Sequence, residues 1–137
     1  MTQEEKFLLL QDLCARLPYG VVVELDEKFG FNKGTRPLVK ELLDLYCVEG
    51  MKPYLRPMSS MTEEESAELS NIISEWFDKE LFYLTEEPFL EYALSKINYS
   101  ISPLLFDWLN KNHFDYRGLI KKGLAIEAPE DMYKEGQ

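Results

Sequence analysis

The chain is poor in the residues that most enzymes and metal proteins rely on: among its 137 residues are one histidine and two cysteines. Zinc is held by about four Cys, His or acidic ligands, usually in closely spaced pairs. Cys14 and Cys47 stand far apart, and His113 is distant from both, so no metal-ligating spacing is present and no cofactor is expected. The same scarcity argues against a disulfide framework, and both thiols are expected to stay reduced. No apolar run approaches the roughly 20 residues that cross a bilayer. The start, MTQEEKFLLL, is acidic before it is apolar, unlike a secretory leader, so a cytoplasmic location and no membrane partner are expected. Clustered Lys and Arg are missing as well. Phosphate backbones are bound through such clusters, so direct nucleic-acid binding is not expected.

What the chain does have is acid in one place. The net charge is −10, and residues 62–91 carry −9 of it through ten acids and one lysine. Hydrophobic residues make up 45% and aromatics 13%. That content is enough for one core and too high for disorder to describe most of the chain. A single globular domain is expected over 1–128, with a loose tail at 129–137. No repeat or low-complexity segment interrupts it.

Local patterns suggest an α+β domain dominated by helices, with a small sheet drawn from 21–26, 45–55 and a third segment at 124–128. Thr2 and Glu5 form a capping box before a helix whose apolar face reads Phe7, Leu10, Leu13, Cys14, Leu17. On that reading Cys14 is buried, which would raise its thiol pKa and leave it inert. Pro18 and Gly20 end the helix, and Val21–Val23 open a strand. Pro37 with Val39, Leu42 and Leu43 suggests a helix over 37–44, although loose alternation keeps a strand reading open for 37–50. KPYLRPM is extended, because each proline biases its predecessor away from helix. Thr62 and Glu65 form a second capping box, followed by an apolar face of Leu69, Ile72, Ile73, Trp76 and Phe77. Pro88 opens another helix with Phe89, Leu90, Ala93, Leu94 and Ile97 inside, and Ser102-Pro103 begins a short one.

His113 lies in NKNHFDYRGL, where Asn110, Asn112, Asp115, Tyr116 and Arg117 surround it. Histidine is the side chain best suited to general-base work near neutrality. A small enzyme would use His113 with Asp115 or Tyr116, and Tyr116 or Arg117 to hold an anion. Local roles compete with that reading. Asn110 and Asn112 suit a helix end, Asp115 suits the N-cap of the next turn, and Gly123 suits a left-handed cap closing it. Tyr54, Arg56, Trp76 and Phe77 are interface-type residues, able to anchor a protein partner or a homodimer through the 69–84 face. The leading expectation is therefore a non-enzymatic, acidic protein-interaction module. The enzyme built on His113 is the alternative, and a nucleic-acid-mimicking regulator is the next.

Two blocks, KPYLRPMSSMTEEE at 52–65 and DWLNKNHFDYRGLIKKGLAIEAPEDMY at 107–133, resemble a family of small proteins of gut anaerobes and their phage-like mobile elements. No activity, cofactor or catalytic residue is attached to that family. The resemblance implies a context, mobile-element or defence-related, rather than a reaction.

Overall fold

The computed structural model describes residues 1–27, 34–43, 48–77 and 103–133, with the side chains of 73–77 and 103 outside that description. Within them an α+β architecture is present: helices α1 (Gln3–Arg16), α2 (Glu63–Phe77) and α3 (Pro103–Lys111), and strands β1 (Val22–Leu25), β2 (Gly34–Pro37), β3 (Met51–Leu55) and β4 (Ile126–Glu127). The strands form one mixed sheet in the order β2-β1-β3-β4, with β1 antiparallel to both neighbours and β4 parallel to β3.

Both expected capping boxes are present. Thr2 and Glu5 exchange bonds of 2.9 and 3.1 Å, and Thr62 and Glu65 bonds of 3.0 and 3.1 Å. The face that α1 buries, however, differs from the expected one. Leu9, Asp12, Leu13 and Arg16 point inward, whereas Phe7 and Cys14 are exposed. The stripe is turned because a charged pair, Asp12 and Arg16, occupies two core positions spaced like Leu9 and Leu13. Cys14 is therefore a surface thiol and not a buried one.

The sheet also corrects the reading of 37–44. Gly34–Pro37 is a strand, Val39 is extended, and Lys40–Leu42 makes one 3₁₀ turn. β1 needed a partner, and pairing Val22–Leu25 with 34–37 supplies it. Pro37 is tolerated because it lies on an edge strand opposite Val22, at a non-hydrogen-bonded position; the flanking bond runs from Leu38 N–H to Val21 O at 2.8 Å. The expected strand over 45–55 is realised as Met51–Leu55, after a 3₁₀ turn at Val48–Gly50. The third is realised as Ile126–Glu127. The strand character expected from residue 45, Cys47, and the helix expected after Pro88 lie outside the described residues.

Two apolar clusters result. The first joins α1 to the sheet through Leu9, Leu13, Val23, Met51 and Leu55, with Leu119 and Leu124 added from the C-terminal loop. The second joins α2 to α3 through Leu69, Leu105, Leu109 and Phe114. Fully buried Leu or Phe side chains each stabilise by about 1.5–3 kcal/mol relative to exposure, so each cluster is a substantial anchor. The chain passes from the second cluster to the first between Phe114 and Leu119. The candidate residues of that segment therefore sit at the junction of the two cores.

Candidate functional site

The end of α3 sets the local geometry. Phe114 N–H bonds to Leu109 O at 3.0 Å and His113 N–H to Asn110 O at 3.1 Å. That is a Schellman closure with His113 as its left-handed residue, at φ 64°. Glycine usually fills this position; a side chain with Cβ is strained there. Asn110 and Asn112 are the expected punctuation of the helix end; the left-handed residue is His113 instead, while the Asn112 side-chain amide donates to Trp108 O at 2.9 Å.

Beyond the turn, the backbone is clasped to the segment after β3. Arg56 N–H donates to His113 O at 2.7 Å, and Asp115 N–H donates to Arg56 O at 2.8 Å. The Arg56 side chain forms a two-pronged pair with Glu65, both contacts 2.7 Å, and its guanidinium lies 4.2 Å over the Phe114 ring. Burial works against charge on Glu65, but the Arg56 and Thr62 hydrogen bonds outweigh it and hold the carboxyl below the usual range. Glu65 thus caps α2 and fastens α2 to the 113–115 turn.

Asp115 takes the capping role expected for it. Its carboxylate accepts from Leu119 N–H at 2.8 Å and Ile120 N–H at 3.0 Å. The 116–123 segment it opens is a series of turns and not a helix. Gly123, at φ 76°, closes it with Gly123 N–H on Ile120 O and Leu124 N–H on Leu119 O. Because both Asp115 oxygens are engaged with backbone, this carboxylate does not orient His113.

A second set comes from α1. Asp12, fully buried, receives Arg16 Nε at 2.8 Å on one oxygen and Arg117 Nη1 at 2.6 Å on the other. Arg16 is also fully buried and donates through Nη2 to Phe114 O at 2.6 Å. Tyr116 lies beneath both guanidinium groups, 4.7 Å from Arg117 and 5.3 Å from Arg16, and its hydroxyl donates to Asn110 Oδ1 at 2.9 Å. Burial pushes the Tyr116 phenol up, so it stays protonated and works as a donor.

His113 itself is 8% exposed and lies flat against Tyr133, with centroids 3.6 Å apart and planes at 15°. Its Nδ1 finds no hydrogen-bond partner among the described residues. Burial first, then the nearby Arg16 and Arg56 charges, push the imidazole down to about 4. At neutral pH the ring is uncharged and buried as a stacking surface. Among the described residues no carboxylate is aligned on it, and a tyrosine covers one face, so as placed it is a poor base.

Of the other candidates, Tyr54 is half-buried and its carbonyl accepts from the Tyr133 hydroxyl at 2.7 Å. Trp76 and Phe77 lie at the end of α2, and their side chains are outside the described residues. The structure brings Arg56, His113, Asp115, Tyr116 and Arg117 together and adds three residues that sequence reasoning passed over: Asp12, Arg16 and Tyr133. Asp12 and Arg16 carry a signal in their i, i+4 spacing on the Leu9–Leu13 stripe. Tyr133 carries one as an aromatic in an otherwise polar tail. That tail is not loose as far as residue 133, since Tyr133 also receives Val22 N–H at 2.9 Å.

Among the described residues, no group of three His, Cys, Asp or Glu side chains is placed to hold a metal ion, and no helix is long and apolar enough to cross a membrane. No protein-family model, curated protein or solved structure matches the chain.

Proposed function

We propose that the protein is a cytoplasmic, non-catalytic interaction module whose acidic helix α2 meets a basic protein partner. The observation that carries this reading is the use made of the 110–117 cluster. Asp115 caps backbone, Arg117 serves Asp12, Tyr116 serves Asn110, and His113 stacks on Tyr133. The residues that look catalytic are occupied in joining two cores. Outward from the same junction, Glu63 and Glu64 stand exposed beside the capping box at the start of α2, within the segment that carries −9. Such a field raises encounter rates with a basic surface. The resemblance of the 52–65 and 107–133 blocks to a mobile-element family suggests a partner met in that setting.

Affinity capture with the full chain tests it, at roughly 0.1 M salt and again near 1 M, where the screening length falls from about 10 Å to about 3 Å. A basic protein held at low salt, released at high salt, and lost from the Glu63→Gln/Glu64→Gln variant is the expected result. Retention of nothing at low salt, or retention indifferent to both changes, would sink the reading.

A further inference from the structure

The ladder between β1 and β3 ends in an unusual way. Val23 stands opposite Pro53, which has no N–H, so that pair is a non-hydrogen-bonded one. Asp26 N–H on Gly50 O at 2.9 Å marks the bonded phase on the other side of the register. Val22 and Tyr54, one step past Val23 and Pro53, therefore fall where two antiparallel residues exchange direct N–H···O bonds. Instead, Val22 N–H goes to the Tyr133 hydroxyl at 2.9 Å, and that hydroxyl donates to Tyr54 O at 2.7 Å. A phenol stands in the ladder as acceptor and donor at once. Its ring is covered by His113 at 3.6 Å.

The segment that delivers this side chain runs along the surface. Ala128 N–H on Leu55 O at 2.8 Å fixes its start, Met132 N–H on Pro129 O closes a single turn, and Pro129, Glu130 and Asp131 are exposed. One side chain is gripped by β1, β3 and the α3 turn, while the chain carrying it lies at the surface. Those are the features of a ligand in a receptor.

We propose that the β1–β3 fork and the face of His113 form a tyrosyl-binding site, occupied in cis by Tyr133 as a detachable latch, that takes the tyrosine of a partner peptide when the latch leaves. The site reads the hydroxyl. A bound group must accept from Val22 and donate to Tyr54, which a neutral phenol does. Phenylalanine leaves both backbone groups unpaired, and a phosphorylated tyrosine has lost the donor. Among the described residues, the charged and titratable groups facing His113 are Arg16 from α1, Arg56 beyond β3 and Tyr133 itself, with Arg16 and Arg56 already paired to Asp12 and Glu65. The inference is independent of the acidic face of α2, and substitutions at Glu63 and Glu64 leave it untouched.

The test uses the full-length Tyr133→Ala variant with the synthetic peptide PEDMYKEGQ and its Tyr→Phe counterpart, followed by NMR of the His113 ring. The tyrosine peptide is expected to shift the ring resonances and to bind roughly tenfold or more tightly than the phenylalanine peptide, the discrimination due to one buried pair left unmade. No binding by the folded variant, or equal binding of the two peptides, overturns the proposal. Should the variant fail to fold, native-state hydrogen exchange of the wild-type chain decides. The Val22 amide is expected to exchange through a local opening, faster than the Val23 and Leu25 amides. Exchange of Val22 only with global unfolding would show that Tyr133 does not detach, and the proposal would fall.

Discussion

Acidifying the protein from pH 7 to pH 5 should remove about 2 kcal/mol of stability through His113 alone. The unfolded imidazole has an ordinary value of 6.5, and in the folded protein it is pushed down to about 4. Between those values the unfolded state binds a proton that the folded state refuses. The contribution is therefore fully present above pH 6.5 and declines as pH falls toward 4, at about 1.4 kcal/mol per unit through the middle of the range. Across the whole window the loss approaches about 3 kcal/mol, a large share of the 5–15 kcal/mol typical of a domain. The chain has one histidine, so His113 accounts for the imidazole contribution between pH 7 and 5, while carboxylates titrate chiefly below about pH 5. Glu65 acts in the same direction but later. Its folded carboxyl is lowered, so its stabilisation is present above the ordinary value of 4.5 and is lost as pH falls below it.

Urea unfolding at pH 7, 6 and 5 measures the effect, with His113→Asn as the control. Asparagine tolerates the left-handed backbone at 113 and does not titrate, so the variant should be nearly flat over the same range. Two results would refute the reasoning: a wild-type stability unchanged between pH 7 and 5, or a His113→Asn variant with the wild-type slope. An NMR titration of His113 with a midpoint near 6.5 would do so directly.

Tyr133→Phe keeps the stack on His113 but leaves Val22 N–H and Tyr54 O unpaired, and should cost about 1–3 kcal/mol in urea unfolding; an unchanged midpoint would show that the hydroxyl bridge contributes nothing. Asp12→Ala strands the fully buried Arg16 and removes the partner of Arg117, so a loss of about 3–5 kcal/mol is expected by thermal unfolding. A loss under about 1 kcal/mol would mean that water reaches the Arg16 guanidinium. Gly123→Ala meets no atom within 4 Å of the added Cβ, so its cost is the left-handed backbone alone, about 1 kcal/mol or somewhat more by chemical denaturation.

Sequence was most informative where the physics is local. The Thr2/Glu5 and Thr62/Glu65 boxes, the valine strand and the Gly123 cap each involve residues within a few positions of one another, and all are present in the fold. It was least informative where a tertiary partner decides. Nothing within 37–44 says that β1 takes 34–37 as its neighbour, and the helix pattern there loses to that pairing. Hydrophobic periodicity also misplaced the buried face of α1, because it counts Asp12 and Arg16 as solvent-facing when each has a partner from the other end of the chain. Tyr133 reads as part of a loose tail for the same reason. Its anchors, Val22 and Tyr54, lie 111 and 79 residues earlier. At the candidate site, the residue types at 113–117 and the Asp115 cap were legible, but the employment of His113, Tyr116 and Arg117 was not, since capping, bridging and catalysis draw on the same side chains.

The strain at His113 gives that overlap a direction. A Schellman turn needs a left-handed residue, and glycine would supply it without a steric penalty or a desolvated ring. The chain has a histidine there instead, strained at φ 64°, unpartnered at Nδ1 among the described residues, and beside two arginine charges that oppose its protonation. A catalytic base would need the reverse of that environment: an aligned carboxylate, an open face and a value near neutrality. What the imidazole does provide is a flat, uncharged surface against which a tyrosine ring lies at 3.6 Å. If that surface is the purpose of the residue, replacing His113 by glycine should relax the turn yet loosen Tyr133. Its hydroxyl would then hold Val22 less firmly, and the Val22 amide would exchange faster in His113→Gly even where global stability is unchanged. A Val22 amide protected as in the wild-type chain would mean instead that the hydroxyl bridge alone fixes Tyr133, and the histidine would be left as an unexplained strain in the turn.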